Sequence, residues 1–161
     1  MRRRRPAPRE AVSERSGHPG TMDETDPLEI NARVIEQFRA GGAIEGMHRE
    51  RLLLLTTTGR SSGRARTAPM MFHLDAGPPP RHVVIASNAG ARRDPQWFGN
   101  LVADPRVHVE VDGDEFDARA VVATAAEHER LWADVTAANP FFVDHLAKAE
   151  RTIPLVVLER L

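Results

Sequence analysis

One segment of this chain, residues 52–64, constrains its fold more than any other. It contains four consecutive leucines, three threonines and a turn bounded by Gly59 and Gly63 that holds two serines and an arginine. Four leucines followed by three β-branched threonines favour a strand that is buried on both faces. The turn concentrates main-chain N–H groups, hydroxyls and guanidinium groups, a combination that suits an anion such as a phosphate. The segment therefore predicts a buried strand that leads directly into an anion-binding turn.

A second junction between a strand and a loop lies at residues 86–98. The apolar strand before it is followed by the small residues 86–90, and Asp94 as N-cap with Pro95 in the first turn predicts a helix that carries Trp97. A buried tryptophan can form the wall of a site for a planar ring. One basic junction and one small, aromatic junction suggest the two ends of a nucleotide-like cofactor.

The rest of the chain is predicted to form short strands and helices. Gly41 and Gly42 end a first helix through a left-handed cap, and Pro69 places the second strand at a sheet edge or a bulge. Six strands with short connections favour antiparallel pairing, so the predicted fold class is α+β, a small, mostly antiparallel six-stranded barrel with flanking helices. There is no alternating strand–helix pattern and no G-x-G-x-x-G motif, which argues against a Rossmann domain. The predicted strands are 52–58, 66–74, 82–87, 107–111, 116–123 and 153–158, the last interrupted at Pro154, and the predicted helices are 28–40, 94–103, 124–138, which opens with a Thr124–Glu127 capping box, and 140–150.

Composition excludes several classes of site. The 161 residues include no cysteine and no tyrosine, which removes disulfides, thiolate catalysis, cysteine-ligated metals and a tyrosine general acid. The seven histidines contain no i, i+4 pair and no H-E-x-x-H motif, so surface or packed histidines are favoured over a metal site. The serines Ser61, Ser62 and Ser87 lie outside any G-x-S-x-G motif, which argues against a hydrolase.

Residues 1–27 form a basic arm that we expect to be disordered, followed by one domain over residues 28–161. Six arginines and two glutamates lie in residues 1–20, whereas the whole chain has a net charge of -1. The body is therefore mildly acidic and does not favour nucleic-acid binding. The arm is interpreted as a solvated segment, with peripheral contact to an anionic membrane as the alternative. It lacks the apolar region of a secretory signal, so we expect a cytoplasmic protein, with membrane association through the arm left open.

The arginines near the two junctions are the strongest candidates for ligand binding. Arg60, Arg64 and Arg66 flank the turn, and Arg92 and Arg93 precede the helix of the second junction. Converging arginines bind phosphates or polycarboxylates through charge-assisted, often bidentate hydrogen bonds. The residues alone thus indicate a small barrel that binds an anionic, planar ligand, and they leave both an enzyme and a binding module open.

Several spaced motifs between residues 28 and 160 match one family pattern. They are Asn31 with Phe38-Arg39-Ala40-Gly41-Gly42, Leu53-Leu54-Leu55-Thr56-Thr57-Thr58-Gly59-Arg60 with Ser62-Gly63, Pro69, Ala86-Ser87-Asn88 with Gly90, Pro95 with Trp97, Asn100-Leu101, and Arg151-Thr152-Ile153-Pro154 with Val156-Val157-Leu158. This set resembles the deazaflavin-dependent nitroreductase family and, within it, F420H2-dependent quinone reductases.

The resemblance implies a split β-barrel like that of FMN-binding proteins, with the 8-hydroxy-5-deazaflavin coenzyme F420 as cofactor. It implies hydride transfer from the reduced deazaflavin to a quinone, nitroaromatic or enone-type acceptor, achieved by positioning and without a catalytic nucleophile. By the same resemblance, the cofactor's phosphate and polyglutamate tail would be met by Arg60, Ser61, Ser62, Gly63 and Arg66. The deazaflavin ring would be lined by Pro69, Met70, Ile85, Ser87, Asn88, Ala89, Gly90, Pro95, Gln96, Trp97 and Asn100.

The chain departs from the family pattern at a few positions. Ser61 stands where the family usually has lysine, and Ala89 where it usually has glycine. Met71, Phe142 and His145 occupy acceptor-pocket positions where nitroimidazole-reducing members have tyrosines, so nitroimidazoles are not expected to be substrates. His145 is a candidate proton donor in place of a tyrosine hydroxyl.

Two alternatives share the barrel. One is a non-catalytic module that binds a deazaflavin, and the other is an FMN-binding split-barrel protein. The expected partner is a small-molecule acceptor, and both a monomer and a homodimer remain open.

Overall fold

The computed structural model describes residues 27–44 and 46–161, so the predicted arm lies outside the described residues except for Pro27, which begins the first helix. The helices in this part of the chain are α1 (Pro27–Ala40), α2 (Gln96–Ala103), α3 (Ala125–Ala138) and α4 (Phe141–Ala149). The strands are β1 (Leu52–Thr58), β2 (Ala65–Asp75), β3 (Arg81–Ile85), β4 (Arg106–Val111), β5 (Asp114–Val122) and β6 (Leu155–Arg160). Short 3₁₀ turns occupy Arg49–Arg51 and Asn88–Gly90.

The six strands close into one barrel in the order β1-β2-β3-β6-β5-β4. Every neighbouring pair is antiparallel, which confirms the predicted α+β barrel. Residues 65–71 of β2 pair with β1, and residues 72–75 pair with β3. Pro69 therefore lies in the half of β2 that is bonded on one side, as the edge prediction required. Pro154 precedes β6 and does not interrupt it.

Strand β1 is apolar throughout because both of its faces are covered. Side chains alternate along a strand, so Leu53 and Leu55 join the cluster inside the barrel. Leu52 and Leu54 point outward and pack with Val34 of α1. All four leucines are at most 6% exposed, which confirms the burial predicted for this run.

Helix α2 closes the inner cluster of the barrel, and helices α3 and α4 cover its outer face. Leu101 of α2 is part of the inner cluster, and Trp97 packs against it. On the outer face, Leu131 of α3 and Phe142 of α4 pack against Ile85 and other side chains of β3 and β6. No helix in residues 27–44 and 46–161 combines the length and the apolar character that crossing a bilayer requires.

Two predicted helix starts differ in detail from the structure. Pro95 is the N-cap of α2 and no side chain caps the helix, so the prediction of Asp94 as N-cap was wrong. The Asp94 carboxylate instead accepts a hydrogen bond from Arg151 at 2.7 Å, a stronger, charge-assisted partner. At α3, Thr124 Oγ1 accepts the main-chain N–H of Glu127 at 3.4 Å, which is the first half of the predicted capping box. The Glu127 carboxylate turns away and accepts from Arg81 at 2.7 Å.

Candidate cofactor site

The turn between β1 and β2 is closed by its own hydrogen bonds and leaves its polar side chains exposed. The N–H of Gly59 donates to the carbonyl of Arg64 at 2.8 Å, and the N–H of Gly63 donates to the carbonyl of Gly59 at 2.8 Å. Ser62 Oγ accepts the N–H of Arg64 at 3.2 Å. Gly63 has a φ of +70°, a region that side-chain-bearing residues seldom adopt. The predicted tail residues 60–63 are all exposed on this turn.

Arg60 connects the turn to α2. Its Nη1 donates to the carbonyl of Gln96 at 3.1 Å and to Asn100 Oδ1 at 3.0 Å, and its Nη2 donates to Gln96 Oε1 at 2.8 Å. A guanidinium has five N–H donors, so Nε–H and one N–H of Nη2 remain for another acceptor. A Cβ added at Gly99 would lie 2.8 Å from Arg60 Nη1. The absence of a side chain at this position therefore lets the guanidinium lie against the helix.

Asn100 is the buried centre of this network. It is 6% exposed, and its Oδ1 accepts from both the main-chain N–H and the Nη1 of Arg60. Its Nδ2 donates to Thr57 Oγ1 at 3.2 Å. Arg60, Gln96 and Asn100, which were predicted as site residues from three separate motifs, are thus joined by hydrogen bonds between the turn, β1 and α2.

The positive charge on the turn is available to a ligand. Within the described residues, the guanidinium groups of Arg64 and Arg66 form no ion pair and no side-chain hydrogen bond, and both residues are exposed. Arg92, by contrast, pairs with Glu150 at 3.0 Å. Two unpaired arginines beside exposed serine hydroxyls provide donors for several carboxylates or a phosphate. This donor set fits a cofactor with an acidic tail.

The loop between β3 and α2 has an unusual main chain. Three successive residues have positive φ: Asn88 (+48°), Ala89 (+54°) and Gly90 (+82°). The left-handed region is unfavourable by about 1–2 kcal/mol for an ordinary L-residue. Asn88 tolerates this region better than most residues, and Gly90 adopts it freely. Ala89 has a Cβ and no polar side chain to compensate, so its conformation is strained. The departure at Ala89 from the family's glycine thus falls at a strained position.

Arg151 holds this loop, and the sequence did not identify it as a site residue. Its guanidinium donates to the carbonyls of Ala86 (3.1 Å), Ser87 (3.3 Å), Ala91 (3.1 Å) and Arg93 (3.2 Å). It also donates to the carboxylate of Asp94 and to the carbonyl of Thr152. The side chain is 15% exposed. The available signal was its place in the Arg-Thr-Ile-Pro motif, which indicated the family but no role.

Helix α4 packs against the same loop. A Cβ added at Gly90 would lie 3.2 Å from the carbonyl oxygen of His145, so the turn and the helix are in close contact. The imidazole of His145 makes edge contacts with Phe141 and Phe142 at ring-centre distances of 5.4 and 5.6 Å. Its Nδ1 is buried and has no hydrogen-bond partner among the described residues. Burying a polar atom without a partner is unfavourable by about 1–3 kcal/mol.

The remaining predicted residues lie on both faces of the barrel wall. Met70 packs against the inner cluster beside Trp97. Met71 packs against the cluster of α1, whereas Ile85 and Phe142 share the cluster of α3 and α4. Of the predicted ring and acceptor residues, Ile85, Ser87, Gly90, Asn100 and Phe142 are buried, Pro69, Met70, Met71, Pro95, Trp97 and His145 are partly exposed, and Asn88, Ala89 and Gln96 are exposed.

Two concavities lie apart from the predicted cofactor residues. One, of about 500 Å³, is lined by Asp75, Arg81, Arg130 and the loop between β2 and β3. The other, of about 300 Å³, is lined by residues that include Trp132, Leu146 and Arg151. Neither is lined by a residue predicted from the sequence as a cofactor or acceptor contact, although the second shares Arg151 with the strained loop.

Comparisons with known proteins point to one family. A family model described as F420H(2)-dependent quinone reductase matches residues 30–160. A Mycobacterium tuberculosis protein is 35% identical over 106 residues, which are 66% of this chain and 87% of the relative. That relative has the provisional name F420H(2)-dependent quinone reductase. A solved structure described as an F420-H2 dependent reductase is similar with a TM-score of 0.60 and 30% identity, over 71% of this chain and 100% of that one. Another, described as a domain-swapped dimer, is similar with a TM-score of 0.62 and 29% identity, over 78% of this chain and 93% of that one.

Proposed function

The chain belongs to the F420H(2)-dependent quinone reductase family, and from that premise we propose where its barrel holds the cofactor and how it treats an acceptor. It is an F420H2-dependent oxidoreductase with a split β-barrel fold, and F420 is its cofactor. We assign these roles to the domain of residues 28–161. The observation that carries the proposal is the exposed turn on which Arg64 and Arg66 have no acidic partner in the described part of the chain, while Arg60 fastens that turn to α2.

In the proposed site, the acidic tail and phosphate bind along the turn. Arg66, Ser61, Ser62 and Gly63 would contact them, together with the two N–H donors of Arg60 that α2 leaves free. Ser61 supplies a hydroxyl where a lysine would supply a charge, and the nearby guanidinium of Arg64 offsets that difference.

The ring of the cofactor is proposed to lie between the strained loop and α2. Ser87, Asn88, Ala89 and Gly90 would contact it from the loop, and Gln96, Trp97 and Asn100 from α2. Pro69, Met70, Ile85 and Pro95 complete the proposed lining. When bound in its reduced form, F420 supplies a hydride. The task of these side chains is to bind and orient, and to exclude water from the reacting faces.

A quinone is the acceptor class that we propose, in keeping with the family. Its reduction to a hydroquinone consumes one proton in addition to the hydride. The acceptor pocket is proposed to consist of Met71, Phe142 and His145, and His145 donates a hydrogen bond or a proton to the quinone oxygen. The buried Nδ1 of His145, which lacks a partner in the described residues, supports this role.

The tail site is tested by replacing Arg64 and Arg66 together with alanine. Exposed charge–charge contacts contribute about 0.2–1 kcal/mol each, so we expect the Kd for F420 to rise about 2- to 30-fold in a fluorescence titration. The difference from wild type should shrink as ionic strength rises from about 0.05 to about 0.5 M. Arg51→Ala is the matched control, because Arg51 is exposed and lies before β1, at the opposite end of that strand from the turn. Equal Kd values for wild type and the double variant would contradict the tail assignment.

The role of His145 is tested with His145→Phe, which keeps an aromatic ring and removes both nitrogen atoms. General acid catalysis typically contributes 10²–10⁴-fold, and since solvent can replace part of it we expect menadione-dependent oxidation of F420H2 to fall about 10-fold or more. The Kd for F420 should change little. Val143→Ala, at an exposed position of the same helix, controls for changes in α4. An unchanged rate would assign His145 to packing.

A homodimer is a further part of the proposal. The similar solved structure described as a domain-swapped dimer supports it. Large apolar side chains such as Leu28, Val102 and Val143 are 76%, 61% and 51% exposed and would supply apolar area to a partner copy. A cytoplasmic location, and contact of the basic arm with anionic lipid, remain predictions from the sequence.

A further inference from the structure

The guanidinium of Arg151 uses all of its donors for hydrogen bonds to residues 86–94 and to the carbonyl of the adjacent Thr152. All five N–H groups of its guanidinium are used by six acceptors, and four of these are main-chain carbonyls of residues 86–93. A fifth acceptor, the Asp94 carboxylate, lies at the end of the same loop at 2.7 Å. Residue 151 is 57 to 65 positions away from these partners. The side chain therefore acts as a cross-brace between the segment that joins α4 to β6 and the loop that precedes α2.

The loop that Arg151 contacts contains three successive residues in the left-handed region of the main chain. Asn88, Ala89 and Gly90 all have positive φ, and such conformations persist when the surrounding structure holds them in place. Within the loop, the N–H of Gly90 donates to Ser87 and the Asn88 side chain donates to the carbonyl of Arg93. These short-range bonds close the turn, but they do not attach it to the barrel. Arg151 does attach it, because its carbonyl partners lie on both sides of the three left-handed residues.

We propose that Arg151 is a positioning residue for the cofactor: its guanidinium holds residues 86–94 in the left-handed conformation that the cofactor site uses. This inference rests on the proposed function, which places the ring of F420 against Ser87, Asn88, Ala89 and Gly90. Arg151 itself touches the loop from behind and is not a catalytic residue. Without it, the loop would populate other conformations, and the apparent Kd for F420 would rise to the intrinsic Kd divided by the fraction of molecules in the competent conformation.

The test compares Arg151→Lys with the wild type in the full chain. Lysine keeps the charge and offers three donors from one point, so it cannot span carbonyls on both sides of the turn. We expect the Kd for F420 to rise about 10-fold. In the absence of cofactor, amide hydrogen exchange in peptide 86–94 should become faster, while peptide 52–58 of β1 should keep its protection.

Arg81→Lys is the matched control. Arg81 is also a partly buried, ion-paired arginine, bonded to Asp75 and Glu127, but it begins β3 at the end far from the loop. Its replacement should lower the melting temperature without changing the Kd for F420 or the exchange of peptide 86–94. A simple loss of stability is thereby separated from a loss of loop position.

Ala89→Gly provides a rescue that a purely structural role would not produce. Glycine adopts positive φ without steric penalty, so it raises the population of the required loop conformation wherever that population is below one. We expect Ala89→Gly to lower the Kd about 5-fold in the Arg151→Lys background, a larger change than in the wild type. Wild-type affinity and wild-type loop exchange in Arg151→Lys would overturn the inference, and so would an equal effect of Ala89→Gly in both backgrounds. Failure of the wild type itself to bind F420 would overturn the proposed cofactor site, while loop exchange would still decide whether Arg151 holds the loop.

Discussion

At the scale of single residues, Ala89 is a departure from the family pattern that places strain in the main chain. Its φ of +54° and ψ of +28° place it in the left-handed region, where a Cβ is crowded against the following carbonyl. A glycine at this position would be unstrained. In the role proposed for Arg151, its hydrogen bonds to the loop offset this strain.

We predict that Ala89→Gly stabilises the protein. Relief of the left-handed strain of about 1–2 kcal/mol exceeds the entropy that a glycine adds to the unfolded chain, about 0.4–1 kcal/mol, so the free energy of unfolding should rise by about 0.5–1 kcal/mol in urea denaturation. Ala91→Gly is the control, since Ala91 has a φ of -64° and gains no relief. It should lower the free energy of unfolding. If both variants were destabilised equally, the strain at Ala89 would be disproved.

Sequence reasoning identified residues whose chemistry is visible in their own type and missed one whose role lies in long-range contacts. Arg60, Gln96 and Asn100 were all predicted as site residues, and they are joined by hydrogen bonds. What the sequence could not show is that Arg60 spends three of its donors on α2. The role of Arg151 was missed because its partners are main-chain carbonyls distant along the chain. Every residue has such a carbonyl, so the sequence does not indicate which ones an arginine will bind.

At the scale of elements, the pairing of β4 with β5 creates a cross-strand contact between a histidine and two carboxylates that was not evident in the sequence. The register of β4 and β5 sets His108 opposite Asp117. The ring of His108 lies between two carboxylates, with Nδ1 2.8 Å from Asp117 and Nε2 2.6 Å from Glu115. The hydrogen bond to Asp117, with that to Glu115, raises the pKa of His108 despite some desolvation. The ring of His108 therefore links the two strands of the hairpin through its contacts with both carboxylates.

The raised pKa of His108 predicts a pH-dependent contribution to stability. Because the folded state favours the protonated ring, this contribution is fully present below the unfolded pKa of about 6.5 and is lost as pH rises through the raised folded pKa. The melting temperature of wild type should exceed that of His108→Gln by more at pH about 5.5 than at pH about 9. A difference between wild type and His108→Gln that does not change with pH would contradict the prediction.

The elements themselves were largely predictable, and the errors occurred where a tertiary partner outweighed a local signal. The leucines of β1 indicated a strand covered on both faces, and α1 together with the barrel interior provides that cover. Asp94 has the chemistry of an N-cap, yet the guanidinium of Arg151 binds its carboxylate. In the same way, the carboxylate of Glu127 binds Arg81 and does not complete the capping box. In each case a charged partner from a distant part of the chain replaced a nearby main-chain N–H.

At the scale of the whole molecule, the barrel brings four separate segments to one proposed site. The turn after β1, the loop after β3, helix α2 and helix α4 are linked by Arg60, by Gly90 packing on His145, and by the brace of Arg151. The family match over residues 30–160 spans all four segments. The proposed homodimer predicts a mass of two chains for this protein in light scattering, and a mass of one chain would contradict it.

The central claim is that this barrel is built for an acidic-tailed deazaflavin, and a side-by-side titration of the full chain with F420 and with FMN tests it most directly. Both cofactors carry a flavin-like ring and a phosphate, but the unpaired Arg64 and Arg66 of the described chain can be satisfied by the longer acidic tail of F420. We expect F420 to bind at least 10-fold more tightly than FMN and to show a steeper salt dependence, because its tail carries more negative charges. Tighter binding of FMN would contradict the account and would support the alternative of an FMN-binding barrel, and binding of neither cofactor would contradict the account outright.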